Sequence, residues 1–137
     1  MRPVETAIEG GCLCGAVRYR AVGPPTASMI CHCDSCARAS GAPAVAWVTF
    51  GTPGFRFLRG EPVAFHSSPP VTRRFCGACG TPLTYAHAAR PSEVDVTTRS
   101  LDDPKRFPPS HHAWVGDAPS WNRPADGLPA FERSKES

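Results

Sequence analysis

The sequence has no apolar run approaching the ~20 residues that a helix needs to span a bilayer, so no membrane-spanning protein is expected. Its first ten residues, Met1 to Gly10, carry two glutamates and no apolar core, which is not the pattern of a secretory signal. It has no block of like charge. The arginines are spread along the chain, and the basic stripe of a nucleic-acid surface is missing. No internal repeat covers the 137 residues. Without an export signal the thiols are expected to stay reduced, in the cytoplasm of a soluble protein. That argues against a disulfide framework for the seven cysteines and leaves metal or redox chemistry.

Glycine (12) and proline (16) are abundant, which favours short elements joined by turns over long helices. Hydrophobic residues make up 41%, enough for a modest core, and the length fits one domain. The pattern predicts short strands. Residues 16–22 alternate, with Val17 and Tyr19 on one face and Arg18 and Arg20 on the other. Residues 44–50, holding Trp47, Val48 and Phe50 between Gly/Pro breaks, read as a well-buried strand. Residues 55–58 and 63–66 read as a hairpin joined by Arg59-Gly60-Glu61-Pro62, and 83–86 and 94–98 as further strands. Only Cys33 to Ala39 suggests a helical turn. The expectation is an antiparallel, mainly β domain over residues 1–122, followed by a loose, flexible tail over 123–137.

The cysteines fall into three groups: Cys12-Leu13-Cys14, then Cys31-His32-Cys33-Asp34-Ser35-Cys36, then Cys76-Gly77-Ala78-Cys79. The third has the form of a zinc knuckle, in which a C-x-x-C turn aims both sulfurs at one ion. Two cysteines are half a tetrahedral site, and Cys12 and Cys14 are the simplest source of the other half. A closed four-thiolate site would staple a small β domain, a structural use of zinc. The alternative for C-x-x-C is a redox motif, which belongs at the start of a helix in a βαβ pattern. Turn and strand surround it here. The second group offers three thiolates, and three protein ligands leave a fourth position for water or substrate, as in catalytic zinc sites. The alternatives are that His32, Asp34, His66 or a residue of another chain fills that position and the site is structural, or that the three cysteines form a transient disulfide when zinc is absent. Zinc also alters the charge reading. The formal charge is +3 with cysteines neutral, and a four-thiolate and a three-thiolate zinc would together cancel it.

These three groups, with Arg74-Phe75 before the third, Ser40-Gly41-Ala42-Pro43 after the second, Trp47, and the late His112-Ala113-Trp114 and Trp121, resemble the glutathione-dependent formaldehyde-activating enzyme family and the related centromere protein V group. The resemblance covers about residues 8–122. It implies an Mss4-like fold, a β-tent of antiparallel sheets. It implies a structural zinc on Cys12, Cys14, Cys76 and Cys79, and a second, more labile zinc on Cys31, Cys33 and Cys36 as the reactive site. It implies a carbon–sulfur lyase acting on an adduct of formaldehyde and a small thiol such as glutathione. No separate glutathione motif can be mapped onto the chain.

Other side chains stand as weaker candidates. His32 and His66 are candidate proton shuttles, against the plainer role of polar turn or strand residues. Arg73, Arg74 and Arg38 are candidates to receive a carboxylate, against a solvated strand face. Trp47 and Trp114 are candidates to line a pocket, against ordinary core positions. His111 and His112 are a weak metal signal, because neighbours on a strand point to opposite faces. Two other readings share the fold implied: a non-enzymatic zinc scaffold or metal-handling module, and a thiol redox enzyme.

Overall fold

The computed structural model describes residues 7–135. Most of the segment read for a secretory signal and the last two residues of the expected tail lie outside the described residues. Ten strands run in chain order: β1 (Ala7–Gly11), β2 (Arg18–Val22), β3 (Ala27–Cys31), β4 (Val45–Gly51), β5 (Phe55–Arg59), β6 (Val63–Ser68), β7 (Val71–Phe75), β8 (Pro82–His87), β9 (Glu93–Thr97) and β10 (His112–Ala113). One α-helix, α1 (Asp34–Ser40), lies between β3 and β4.

The chain is mainly β, as its Gly/Pro punctuation predicts. The strands form two sheets, one ordered β1-β2-β5 and the other β10-β3-β4-β9-β8-β7-β6. Every strand pair is antiparallel except β10 with β3, which is parallel. That pair holds His112 beside Ile30 and Ala113 beside Cys31, so the late histidine segment is bound against the second cysteine group.

The predicted hairpin of residues 55–58 and 63–66 does not form. β5 pairs with β2 in the small sheet, whereas β6 pairs with β7 at the edge of the large one. The aromatic residues of β5 explain the split. Phe55 and Phe57 pack on Tyr19 of β2, with ring centroids 5.5 and 6.4 Å away. Gly60, at φ +74°, then turns the chain out where a Cβ would collide with the Ala16 carbonyl. All six residues of β6 are exposed, so no core interaction holds that strand beside β5.

Two apolar clusters result, and β4 divides them. Tyr19, Val48, Phe50, Leu83 and Val96 form the larger, which contains residues of both sheets. Trp47, between Ala46 and Val48 on the same strand, joins Val45, Cys31 and Cys36 in the smaller. A strand buried on both faces reads as a continuous apolar run, which is how residues 44–50 look in sequence. Arg18 and Arg20, on the other face of β2 from Tyr19, reach Glu9, and Arg18 also pairs with Asp102.

Residues 129–133, expected within a loose tail, are paired instead. His112 N–H donates to the Pro129 carbonyl at 2.8 Å, Phe131 N–H to the His112 carbonyl at 2.9 Å, and Trp114 N–H to the Arg133 carbonyl at 2.9 Å. Proline and glycine density marked the segment as irregular. It could not show that backbone groups of the β10 region lacked other partners and would take these.

The larger cluster sets a stability test. Leu83 has 0% of its surface exposed, and replacing a buried leucine with alanine removes contacts and leaves a cavity. Leu83→Ala is expected to cost about 2–5 kcal/mol in denaturant unfolding. A loss below about 1 kcal/mol would contradict this packing.

Candidate metal centre and adjoining cavity

The first cysteine set is built from two similar turns. In the turn from β1 to β2, Gly15 N–H donates to the Cys12 carbonyl at 3.1 Å, and Val17 N–H donates to Cys12 Sγ at 3.2 Å. In the turn from β7 to β8, Gly80 N–H donates to the Cys76 carbonyl at 2.8 Å. Here the N–H groups of Ala78 and Cys79 point at Cys76 Sγ, at 3.4 and 3.5 Å. Both glycines sit at φ +81°, a conformation that permits this chain reversal without a Cβ penalty. Leu13 N–H donates to Thr81 Oγ1 at 3.1 Å, tying one turn to the other.

The turns bring Cys12, Cys14, Cys76 and Cys79 together, with all four sulfurs within 4.8 Å of one another. Cys12 Sγ lies 3.7 Å from Cys14 Sγ, which lies 3.8 Å from Cys76 Sγ. Four sulfurs arranged tetrahedrally at about 2.3 Å from a zinc ion would be about 3.8 Å apart. The set therefore fits a tetrahedral thiolate site. Burial works against ionisation of the Cys12 thiol, but the Val17 N–H and the neighbouring Cys76 and Cys14 side chains outweigh it and hold that thiol below its ordinary range. The Thr81 hydroxyl, 3.1 Å from Cys79 Sγ, leads the contacts that hold the Cys79 thiol down at about 5.

The second set is built around the start of α1. Cys31 ends β3, Cys33 caps the helix, and Cys36 lies in its first turn. Cys36 N–H donates to Cys33 Sγ at 3.3 Å, so a sulfur serves as the cap acceptor that Ser or Asp commonly provides. At the other end Gly41, at φ +72°, closes the helix with its N–H on the Ala37 carbonyl at 2.7 Å. The sulfurs of Cys31, Cys33 and Cys36 lie within 4.8 Å of one another and could hold a metal ion. Cys31 and Cys36 are buried, and Met29, Trp47, Tyr85 and Trp114 surround the set. The neighbouring Cys31 and Cys36 thiols hold the Cys33 thiol down at about 2, whereas contact with Cys33 and burial push Cys31 up.

A cavity of about 550 Å³ opens beside this second set. Its size falls within the range of small-molecule pockets. Cys36 forms part of its wall, with Trp47, Phe65 and Phe75 as apolar surface and Arg38, Arg73 and Arg74 as cations. No aspartate or glutamate is among the described residues that line it.

The histidines lie elsewhere. His32, between two cysteines of the second set, does not turn its ring to the sulfurs. Its Nε2 lies 2.9 Å from His112 Nδ1, and His112 Nε2 lies 2.9 Å from the nearer Asp126 carboxylate oxygen. Burial holds the His32 imidazole below its ordinary range. His66 bonds Thr72 Oγ1 at 3.1 Å on the exposed β6, and Trp47 rather than Trp114 lines the cavity. His111 is buried against Phe131, with Ser110 Oγ 2.9 Å from its Nδ1. Sequence reasoning passed over Tyr85, Phe65 and Asp126. Nothing local marks them, because each acquires its role through strand register or the return of the C-terminal segment.

Fold and sulfur sets together define a mainly β protein with two cysteine clusters of metal-binding geometry. The sequence profile of the glutathione-dependent formaldehyde-activating enzyme family matches residues 7–117. The chain belongs to that family. A Halomonas elongata protein named "Putative glutathione-dependent formaldehyde-activating enzyme" is 29% identical over 126 residues, covering 83% of this chain and 78% of that one. A Schizosaccharomyces pombe protein named "Uncharacterized lyase" is 31% identical over 80 residues, covering 58% of this chain and 57% of its own. A crystal structure of a Rhodobacter sphaeroides protein has the same fold, with a TM-score of 0.60 at 19% identity over 90% of this chain and 98% of that one.

The two sulfur sets lead to a stoichiometric expectation. Cobalt(II) loading of the reduced protein should saturate at two ions per chain, one for each set. Metal analysis after desalting measures this, and saturation at one ion would mean that one set does not bind.

Proposed function

We propose that the protein is a zinc-dependent carbon–sulfur lyase acting on a thiol–aldehyde adduct, with Cys31, Cys33 and Cys36 as its reactive centre. The observation that carries this reading is the position of Cys36. It belongs to a three-sulfur set and also forms the wall of a ligand-sized cavity. On the same reading Cys12, Cys14, Cys76 and Cys79 hold a structural zinc, and the protein works in the cytoplasm. No disulfide joins its seven cysteines, which is compatible with a reducing compartment. Membership of the family and the names of the two relatives support a lyase and suggest glutathione as the thiol.

Bound at the three cysteines, zinc would supply a Lewis acid that stabilises a substrate sulfur as thiolate. The remaining work belongs to the chain. Trp47, Phe65 and Phe75 give the cavity an apolar wall that limits water beside the adduct carbon. Arg38 and Arg74 line the same cavity, where their guanidinium groups would receive carboxylates of a peptide thiol. Such contacts hold the adduct with its sulfur toward Cys36. In the lyase direction the carbon–sulfur bond breaks with its electron pair passing to sulfur. The adduct hydroxyl gives up its proton as the carbonyl forms, so thiol and aldehyde are the products. No imidazole is among the described residues that line the cavity, so water at its mouth would carry that proton from the hydroxyl to the departing sulfur.

The decisive comparison is between two serine variants. Cys33→Ser is expected to abolish turnover of S-hydroxymethylglutathione, lower metal content from two ions to one, and leave the far-UV circular dichroism unchanged. Cys79→Ser is expected to unfold the protein or lower its melting temperature sharply. Full turnover by Cys33→Ser would refute the assignment of the reactive centre. Adding glutathione to the cobalt-loaded protein distinguishes an enzyme from a scaffold. A changed thiolate-to-metal absorption supports an open site, and an unchanged spectrum favours a purely structural metal protein.

A further inference from the structure

Of the three arginines lining the cavity, Arg73 alone touches a cysteine of the second set. Its Nη1 and Nη2 lie 3.9 and 3.8 Å from Cys36 Sγ. Its Nε donates to Ser67 Oγ at 3.2 Å, and its guanidinium carbon stands 5.0 Å from the centre of the Tyr85 ring. β7 is paired with β8 so that Arg73 lies opposite Tyr85, and with β6 so that Arg73 also lies opposite Phe65. Strand register and three contacts therefore fix this side chain, whereas no ion pair or hydrogen bond engages the guanidinium groups of Arg38 and Arg74 among the described residues.

The charge of the site explains why a fixed cation belongs there. Three thiolates around one divalent ion leave a net charge of −1. Val45, Trp47 and Met29 give that charge an apolar setting, and an unpaired buried charge is strongly destabilising. Arg73 brings one positive charge to it. We propose that Arg73 is a positioning residue of the Cys31/Cys33/Cys36 metal site: it directs two N–H groups at Cys36 Sγ, offsets the charge of the set and orients that sulfur at the cavity wall. A lysine would keep the charge but not the planar fork that meets the sulfur while its face rests on Tyr85.

This inference rests on reading those three cysteines as a metal site. It does not depend on lyase activity. The test is cobalt(II) competition against a chelator of known affinity, monitored through thiolate-to-cobalt absorption. The four-cysteine site serves as the internal control. Arg73→Gln should weaken binding at the three-cysteine site about 10- to 100-fold, the usual effect of removing a partner that bonds a metal ligand. It should leave the other site unchanged. Loss of the N–H donors should also destabilise the sulfur lone pairs and move the charge-transfer band to longer wavelength, a change that general loosening of the fold does not produce. Arg73→Lys should retain more affinity than Arg73→Gln and still show the displaced band. The proposal is overturned if Arg73→Gln matches the wild type in both affinity and band position, or if it weakens both sites equally. If Arg73→Gln does not fold, wild-type affinity and band in Arg73→Lys overturn it alone. Failure of the wild-type protein to take a second cobalt ion would instead refute the metal-site reading beneath it.

Discussion

Four sulfur atoms from the two sheets of this protein meet at the ends of their turns. Cys12 and Cys14 come from the turn between β1 and β2 of the small sheet, and Cys76 and Cys79 from the turn between β7 and β8 of the large one. A metal ion held by these four sulfurs would tie the two sheets together. The larger apolar cluster spans the same two sheets, with Tyr19 from the small one and Leu83 and Val96 from the large one. A chain of this length with so many turns buries only a modest core. A metal closing a loop of this span adds stability that hydrophobic burial alone does not supply. The twin turns serve this end, because each presents a cysteine sulfur to backbone amides before any ion is considered.

The second set is related to the fold in a different way. Its cysteines lie on one short segment, the end of β3 and the first turn of α1, so no distant elements depend on it for their connection. It is instead enclosed by aromatic side chains from β4 and β8 and by Trp114, with one wall given to a cavity. Three clustered sulfurs in an apolar surround, with one side open to a cavity, form a set that a small molecule could reach. The His32–His112–Asp126 chain runs away from the sulfurs toward the C-terminal segment. That chain and the parallel pairing of β10 with β3 bind the late part of the sequence to the site from behind.

Much of this was legible in the residues. Cysteine spacing marked out the three-cysteine run and each two-cysteine turn, because these are local; the meeting of Cys12 and Cys14 with Cys76 and Cys79 rests on tertiary structure, and the family resemblance supplied it. Alternation in residues 16–22 separated buried Tyr19 from the half-buried Arg18 and Arg20. The continuous apolar run of 44–50 marked the strand that divides the two clusters. The pairing of β5 and β6 was not legible, because a turn signal such as Arg59-Gly60-Glu61-Pro62 gives a reversal but not the sheet in which each arm finds a partner. There the packing of Phe55 and Phe57 on Tyr19 decided the outcome. Arg73 was legible only as one of several arginines that could receive a carboxylate. Its contact with Cys36 depends on the register of β6, β7 and β8, a long-range property that no local pattern records. The return of residues 129–133 onto β10 was hidden for the same reason.

The most direct test of the sulfur junction is diffraction from crystals of the metal-loaded, reduced protein at wavelengths on either side of the zinc absorption edge. Two anomalous peaks per chain are expected. One should be bonded to the sulfurs of Cys12, Cys14, Cys76 and Cys79 at about 2.3 Å. The other should be bonded to Cys31, Cys33 and Cys36, with a non-cysteine ligand or open space toward the cavity. Disulfides among these residues, or a peak that draws its ligands from only one of the two turns, would contradict the account.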